Sequence, residues 1–278
     1  MRADSLSVSI VSFDPDLALL ERALASLARS ISHAQADGKL GDALVCVVDN
    51  GPRKRFFARL DALVGSVFAT MPGIQAAVLP VNANKGYGAA NNLAIHKSTA
   101  DFHLVLNPDV ILDQEAITQA LDFMRAHESV VLISPMATDQ HGVRQYLCKR
   151  HPGILTLLLR GFAPSLLRLR FSHIQQRYEM QNETNQREYF GDFLAGGCFM
   201  FMRLAALQQV GGFDPRFFMY FEDYDLSLRL AACGPLAYVP AVKIVHHGGH
   251  ASRKGWRHRI PFMLSATRFF RRHGWKLV

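Results

Sequence analysis

Carboxylates in this chain recur where an apolar run stops. Leu104-Val105-Leu106 runs into Asn107-Pro108-Asp109, and Val47-Val48 runs into Asp49-Asn50-Gly51. Short apolar runs bounded by turn residues read as buried strands, and Pro108, with no N–H to give a ladder, must end one. Ligands of open α/β sheets bind at the carboxyl ends of the strands. Asp109 at such a corner can hold a hard divalent cation, which in turn can hold a diphosphate. Asp49 can accept the N3–H of a pyrimidine base. Each is also readable as a plain turn carboxylate, because Asp and Asn close Asx turns.

A third acidic group stands at a helix start, Phe221-Glu222-Asp223-Tyr224-Asp225. The helix dipole favours acids there, and capping accounts for one or two of them. It does not account for the aromatic run from Phe217 to Phe221 that leads into them. A carboxylate against apolar walls has its charged form destabilised, which suits a general base. Asn84-Lys85-Gly86-Tyr87-Gly88 opens a helix through Asn91 and Asn92. Its glycines let backbone approach a ligand and its N-terminus favours anions, although it is neither a G-x-G-x-x-G nor a Walker loop, and a plain turn is the alternative. His246, His247 and His250 follow the last strand among glycines and can include a metal ligand, without the H-E-x-x-H spacing.

The elements that must position these groups alternate along the chain. Strands are expected over Leu6–Val11, Ala43–Val48, Ala77–Val81, Phe102–Asn107 and Val130–Ser134. Helices are expected after Asp14-Pro15, with Asp14 as N-cap and Leu17, Leu20, Leu24, Leu27 and Ile31 on one face, and from Asp113 through Met124. This alternation predicts a three-layer α/β/α sandwich with a mostly parallel sheet. Beyond residue 135 a turn at Asp139–Gly142, short helices within 150–190, a strand Gly196–Met202, a helix Arg203–Val210, a helix Phe221–Cys233 stopped by Gly234, strands Leu236–Val239 and Val242–His246, and a basic terminal helix are expected. No linker divides the 278 residues, so one domain is predicted, with the alternating pattern over 1–135, the changed pattern over 136–250 and a basic helix over 251–278.

Composition narrows the partners. The formal net charge of +8 favours an anionic one: a nucleotide, a nucleic acid or an acidic membrane surface. The four cysteines, Cys46, Cys148, Cys198 and Cys233, form no C-x-x-C pair, which argues against zinc and redox motifs and for a reduced cytoplasmic setting. The first residues, Met1 to Phe13, carry too short an apolar run for a signal peptide, and no stretch reaches the length of a spanning helix.

In this order the motifs resemble the family-2 inverting glycosyltransferases of GT-A fold, and among them the bacterial rhamnosyltransferase-like members. The resemblance rests on Ile10-Val11-Ser12-Phe13, Val47-Val48-Asp49-Asn50, Asn84-Lys85-Gly86-Tyr87-Gly88 with Asn91-Asn92, Leu106-Asn107-Pro108-Asp109, Gly196-Gly197, Gly211-Gly212-Phe213-Asp214, Phe221 to Leu226, and His246-His247. It implies transfer of a deoxysugar, L-rhamnose from a dTDP (or UDP) donor, to a saccharide hydroxyl on a polyprenyl diphosphate, in cell-surface polysaccharide synthesis such as O-antigen. It implies that Asp49 contacts the base with the Ser12–Phe13 backbone nearby, and that Asn84, Gly86, Asn91 and Asn107 shape the nucleotide and diphosphate pocket. Asp109 with His247 or His246 would hold Mg2+ or Mn2+; Asn107 stands where the family's D-x-D motif has its first carboxylate. Asp223 would be the base, with Glu222 and Asp225 supporting the acceptor. Two rivals remain at this point. A sugar nucleotidyltransferase would need a glycine- and arginine-rich loop after the first strand, which Ser12-Phe13-Asp14-Pro15 is not. A basic nucleic-acid-binding domain would use Arg168, Arg170, Arg177 and the Arg257–Arg272 run, but no recognition motif accompanies them.

Two apolar stretches with arginine rims predict a peripheral protein on the inner face of the membrane, with an ordinary amphipathic helix packed on the domain and its arginines solvated as the alternative. One is Ile154, Leu155, Leu157, Leu158, Leu159, Phe162, Leu166 and Leu167, flanked by Arg150, Arg160, Arg168 and Arg170. The other is Ile260, Met263, Leu264, Thr267 and Phe270 beside Arg257, Arg259, Arg268, Arg271 and Arg272.

Overall fold

The structure is a computed structural model that describes residues 3–51, 56–157, 170–248 and 259–276. Strands β1 (Asp4–Ser12), β2 (Leu40–Asp49), β3 (Ile74–Pro80) and β4 (Phe102–Leu106) form a parallel run in the order β3-β2-β1-β4. The crossovers carry helices α1 (Leu17–Ala36), α2 (Phe57–Phe68) and α3 (Tyr87–Ile95). After β4 come β5 (Val110–Leu112), α4 (Ala116–Ala126), β6 (Leu132–Thr138) and the short β7 (Arg144–Gln145) and β8 (Cys148–Lys149). Then follow α5 (Ser172–Tyr178), β9 (Tyr189–Gly191), β10 (Leu194–Ala195), β11 (Phe199–Arg203), α6 (Leu204–Gln209), α7 (Glu222–Ala231), β12 (Leu236–His246) and α8 (Arg259–His273).

The sheet continues past β4 as β11-β6-β12-β5, and β8 pairs with β10 in a separate ribbon. β11 runs antiparallel to both β4 and β6. Its first residues therefore lie at the carboxyl edge of β4, with Phe199 opposite Leu106, and bring the preceding Gly197 to the ligand edge.

The period of two along the strands explains the two cores. Leu6, Val8 and Ile10 of β1 and Phe102, Leu104 and Leu106 of β4 pack with α1, α2 and α4 on one face. The other face takes Val105, Met200 and Met202 against Ile95 of α3, Leu207 of α6 and Leu226 of α7. On that second face β1 presents Ser7 and Ser9 instead of apolar residues. They bracket His103, with Ser7 Oγ 2.7 Å from Nδ1 and Ser9 Oγ 3.0 Å from Nε2. Burial holds this imidazole neutral, down to about 3.

The three-layer α/β reading holds, and several local expectations are corrected. Asp16, not Asp14, caps α1, its Oδ1 accepting from the N–H groups of Ala18 and Leu19; Asp14 takes φ +49° in the turn from β1. Asp113 closes an Asx turn on Glu115 N–H, and the helix starts later, at Ala116. The strand expected over Val130–Ser134 starts at Leu132 and runs to Thr138. Leu236–His246 is one strand, because a register shift between Val239 and Lys243 absorbs Pro240. The strand expected from Gly196 begins at Phe199, since Gly196 and Gly197 link β10 to β11. Gly234 does not take the left-handed conformation expected of a helix stop. A Cβ there would lie 2.4 Å from Ser129 O, so it is close backbone approach that requires glycine.

Candidate active site

At the carboxyl ends of β1 and β2, Ser12 lies in register with Asp49. Asp49 is buried, and its Oδ1 accepts from Gly51 N–H at 3.2 Å. Its Oδ2 and the Ser12 hydroxyl are buried with no hydrogen-bond partner among the described residues. A buried acceptor left without a donor is costly, so this corner has hydrogen-bonding capacity for a group from outside the described residues. Phe13, next to them, is 53% exposed.

The loop into α3 is held by a residue the sequence reading gave no role. Asn50 Nδ2 donates to Asn84 Oδ1 and Gly86 O, and Asn50 Oδ1 accepts from Lys85 N–H. Asn84 Oδ1 also accepts from Gly86 N–H. Gly86 has φ +85°, and a Cβ there would meet Phe218 O at 2.3 Å, so this loop closes onto the aromatic stretch before α7. Asn91 is not in the pocket. It is fully buried, with Oδ1 accepting from Ser9 Oγ at 2.7 Å and Nδ2 donating to Tyr87 O at 3.1 Å. It completes the Ser7–Ser9–His103 network, whose polar atoms needed a partner once buried. Tyr87 was also missed. Its hydroxyl lies within hydrogen-bond reach of Gly197 O (2.7 Å) and Asn107 Oδ1 (2.9 Å), joining α3 to the β4 corner and to the turn before β11. The signal was an aromatic residue between the two glycines.

Asp109 sits between β4 and β5. Its Oδ1 is buried with no hydrogen-bond partner among the described residues. His246, opposite Val110 in the β12–β5 pairing, sets its Nε2 3.6 Å from that oxygen. The two histidines are thereby distinguished: the ring of His247 is turned to Gln140 Oε1 at 3.2 Å, and only its backbone N–H reaches Asp109, at the carbonyl. Gln145 fixes the His246 ring. Gln145 Nε2 donates to the carbonyls of His246 and Gly248, so its Oε1 must accept, at 2.9 Å, from His246 Nδ1–H. This turns the lone pair of Nε2 toward Asp109. Gly248 leaves the corner open, since a Cβ there would stand 2.3 Å from Asp109 Oδ2 and 3.0 Å from His246 Nε2. A carboxylate and an imidazole facing each other across such a gap fit a divalent cation, although no cluster of three His, Cys, Asp or Glu occurs among the described residues.

The acids of α7 follow two left-handed aromatic residues, Tyr220 at φ +69° and Phe221 at φ +65°. Such backbone is costly outside glycine, and packing of Phe221 against Phe262 and Phe269 of α8 and against Tyr224 holds it. Asp223 Oδ2 accepts from Gly197 N–H at 2.8 Å and Oδ1 from Tyr224 N–H at 2.9 Å. Burial raises its carboxyl to about 6 despite these bonds. Glu222 is buried, with Oε2 unpartnered among the described residues, and burial followed by the charge of Asp223 pushes it well above the carboxylate range. Asp225 does not face this site. It is fully buried and paired with Arg229 at 2.8 Å, Arg272 at 3.0 Å and His273 at 2.8 Å, so it ties α8 to α7.

Along the sheet edge the order is Asp49 (β2), Ser12 (β1), Asn107 (β4), then Gly197 leading into β11 with Asp223 against it. Three strand spacings of about 4.8 Å make this roughly 14 Å, the reach of an extended nucleoside diphosphate with a sugar at its end. An α/β sheet with such an edge has the architecture of a nucleotide-dependent transferase. The sequence profile of glycosyl transferase family 2 matches residues 7–211, and the chain belongs to that family.

N-acetylglucosaminyl-diphospho-decaprenol L-rhamnosyltransferase of Mycobacterium tuberculosis is 29% identical over 290 residues, covering 95% of this chain and 85% of the relative. Rhamnosyltransferase WbbL of Escherichia coli is 27% identical over 194 residues, covering 66% of this chain and 68% of the relative. Among solved structures, GalNAc-T7 with UDP, GalNAc and Mn2+ superposes with a TM-score of 0.61 at 14% identity, over 97% of this chain and 48% of that one. Mannosyltransferase PcManGT from Pyrobaculum calidifontis with GDP-Man and Mn2+ gives 0.59 at 16%, over 93% and 61%. At these identities the structures establish the fold. The family makes the chain a nucleotide-sugar-dependent glycosyltransferase, and the nucleotidyltransferase and nucleic-acid readings fall away.

Proposed function

We propose that the chain transfers L-rhamnose from a dTDP-linked donor to a hydroxyl of a saccharide carried on a polyprenyl diphosphate, with inversion, in polysaccharide synthesis. The observation that carries the chemistry is the Asp223 carboxylate held by the Gly197 N–H at 2.8 Å, at the edge that runs back to Asp49, with Glu222 beside it and burial raising both carboxyls, Asp223 to about 6. The two relatives named as rhamnosyltransferases support the sugar, and the decaprenol-diphosphate acceptor in the name of one supports the acceptor class.

In this reading Asp49 Oδ2 accepts the N3–H of the base, with the Ser12–Phe13 backbone beside it. Asn50, Asn84 and Gly86 shape the loop over the nucleotide, and Asn107 lies under the diphosphate. The carboxylate of Asp223 uses its remaining lone pairs to take the proton of the acceptor hydroxyl. The acceptor oxygen forms its bond to the anomeric carbon as the bond from that carbon to the diphosphate oxygen breaks, and the nucleoside diphosphate departs from the opposite face. Burial and the charge of Asp223 disfavour the charged form of Glu222, which when protonated can donate to an acceptor hydroxyl. Asp109 and His246 would hold Mg2+ or Mn2+, which when bound supplies Lewis-acid charge for the diphosphate. The test is binding of a panel of nucleotide sugars followed by thermal shift. Stabilisation by dTDP- or UDP-sugars, and none by purine nucleotides, is the expected result; a purine preference would overturn the base-pocket assignment.

Work at an anionic membrane surface belongs to the same proposal. No helix among the described residues is long and apolar enough to cross a membrane. α8 exposes Ile260, Met263 and Leu264 (60%, 56% and 63%), with Arg268 and Arg271 also exposed. Phe270, expected on that face, is buried with Phe269 against Phe217 and Phe221, so the outward face is narrower than expected. Leu158 to Arg168, Arg257 and the side chain of Arg259 lie outside the described residues. Exposed apolar side chains beside arginines suit an interfacial helix. Co-sedimentation with anionic liposomes that weakens with salt is expected, and a protein left in the supernatant under every condition would refute the surface claim.

A further inference from the structure

A cavity lies away from the donor edge. It has a volume of about 440 Å3 and is lined in part by Arg150, His151, Arg177, Tyr178, Asp192 and Lys276. None of Asp49, Ser12, Asn107 or Asp109 borders it. Its lining carries three fixed cations against one carboxylate, Asp192, which is exposed. Arg150 is shared with Glu183, whereas Arg177 and Lys276 have no ion pair among the described residues. His151 Nδ1–H donates to Pro152 O at 3.2 Å, and its Nε2 is buried with no hydrogen-bond partner among the described residues.

Position gives this cavity a meaning. Leu194 and Leu228 are in its wall. Leu228 lies five residues along α7 from Asp223, about 7.5 Å of helix. Leu194 lies three residues before Gly197, whose N–H holds the Asp223 carboxylate. The cavity therefore adjoins the elements that hold Asp223, although Asp223 itself does not line it, and Tyr178 in its wall meets the hydroxyl of Tyr224, the residue after the base, at 3.0 Å. An acceptor whose sugar reaches Asp223 can extend its anomeric substituent toward this wall.

We propose that this cavity binds the diphosphate through which the acceptor saccharide is attached to its lipid, with Arg177 and Lys276 as its principal contacts and Arg150 and His151 beside them. The inference rests on the acceptor class proposed above. Charge-assisted bonds to phosphate oxygens are the strong kind, and arginine matches them with two parallel donors. Asp192 would limit how many negative charges the cavity tolerates.

The test compares two acceptors, N-acetylglucosaminyl diphosphate with a short prenyl tail and an alkyl N-acetylglucosaminide that has no phosphate. The variants are Arg177→Ala, Lys276→Ala and the pair together, with donor affinity measured as a control for folding. The pair should raise KM for the diphosphate acceptor by at least about tenfold and leave KM for the phosphate-free acceptor and donor affinity unchanged. Equal changes for both acceptors, or none, would overturn the proposal. Direct calorimetric binding of the diphosphate compound to the Asp223→Asn enzyme separates this from failure of the transfer reading. Binding that weakens about tenfold in the paired variant supports the cavity even if rhamnose is not the sugar moved, and binding that ignores it refutes the cavity alone. Anionic phospholipid vesicles form the last arm. If the paired variant loses vesicle binding in proportion to its loss of the diphosphate compound, the cavity holds a membrane headgroup, and the proposal is wrong.

Discussion

In the proposed mechanism Asp223→Asn removes the proton acceptor while keeping the side chain's size. General-base catalysis contributes typically 10²–10⁴-fold, so kcat should fall by about that factor while donor affinity hardly changes. Stability should move the other way. The Asp223 carboxyl is raised from 3.8 to about 6 by burial. Between those values the native state binds more protons than the unfolded one, so wild-type stability falls as pH rises through this window and stays lower above it. Two pK units correspond to about 3 kcal/mol at most. Asparagine keeps one acceptor for the Gly197 and Tyr224 N–H groups and loses the other, at about 1 kcal/mol, and water reaching the site discounts the rest. A net gain of about 1–2 kcal/mol remains above pH 7, or about 2–4 °C in Tm, and it should vanish near pH 4. The assay is steady-state transfer across pH 5–9 with melting curves at both extremes. The wild-type kcat/KM should rise through about pH 6. Near-normal turnover in the variant would refute the assignment and pass the role to Glu222.

Three further outcomes follow from the same geometry. Gln145→Leu frees the His246 ring to change tautomer, so Mn2+ affinity, read by electron paramagnetic resonance, should drop roughly tenfold, and Asp109→Ala should lower it at least as much; unchanged Mn2+ binding in both would remove the cation from this corner. Asn91→Ala deprives the buried Ser9 hydroxyl of its acceptor and should cost about 1–3 kcal/mol of stability without altering donor affinity; the reverse pattern would return Asn91 to the pocket. Asp225→Ala leaves Arg229, Arg272 and His273 without their shared buried carboxylate. Hydrogen exchange should then show α8 losing protection while β1 and β2 keep theirs, and uniform protection would show that α8 is held by its phenylalanines alone.

Much of this fold could be read because its strands end so abruptly. Val47-Val48-Asp49 and Leu106-Asn107-Pro108 mark both the strand and its ligand edge, and the period-two and helical patterns assign faces without tertiary knowledge. What could not be read depended on pairing across long sequence distances. Nothing near Gly197 in sequence says that β11 is antiparallel and delivers its N–H to Asp223. Asn91 sits in a motif shared with pocket residues, yet its environment is set by Ser9, over eighty residues earlier, which faces a histidine instead of an apolar neighbour. Asp225 looked like a third catalytic acid because its partners, Arg272 and His273, lie at the far end of the chain. His246 ends β12 and His247 follows it, and choosing between them required the β12–β5 register. Asp14 and Asp16 are both plausible caps by type, and only the turn after β1 decides between them.

The most direct test of the central claim is a transfer assay with dTDP-L-rhamnose and N-acetylglucosaminyl diphosphate on a prenyl tail, the product's anomeric configuration being read by NMR. The account predicts a rhamnosyl product of configuration opposite to the donor's, formed by the wild type and reduced at least a hundredfold in Asp223→Asn. A product of retained configuration, or transfer that survives the loss of Asp223, would contradict it.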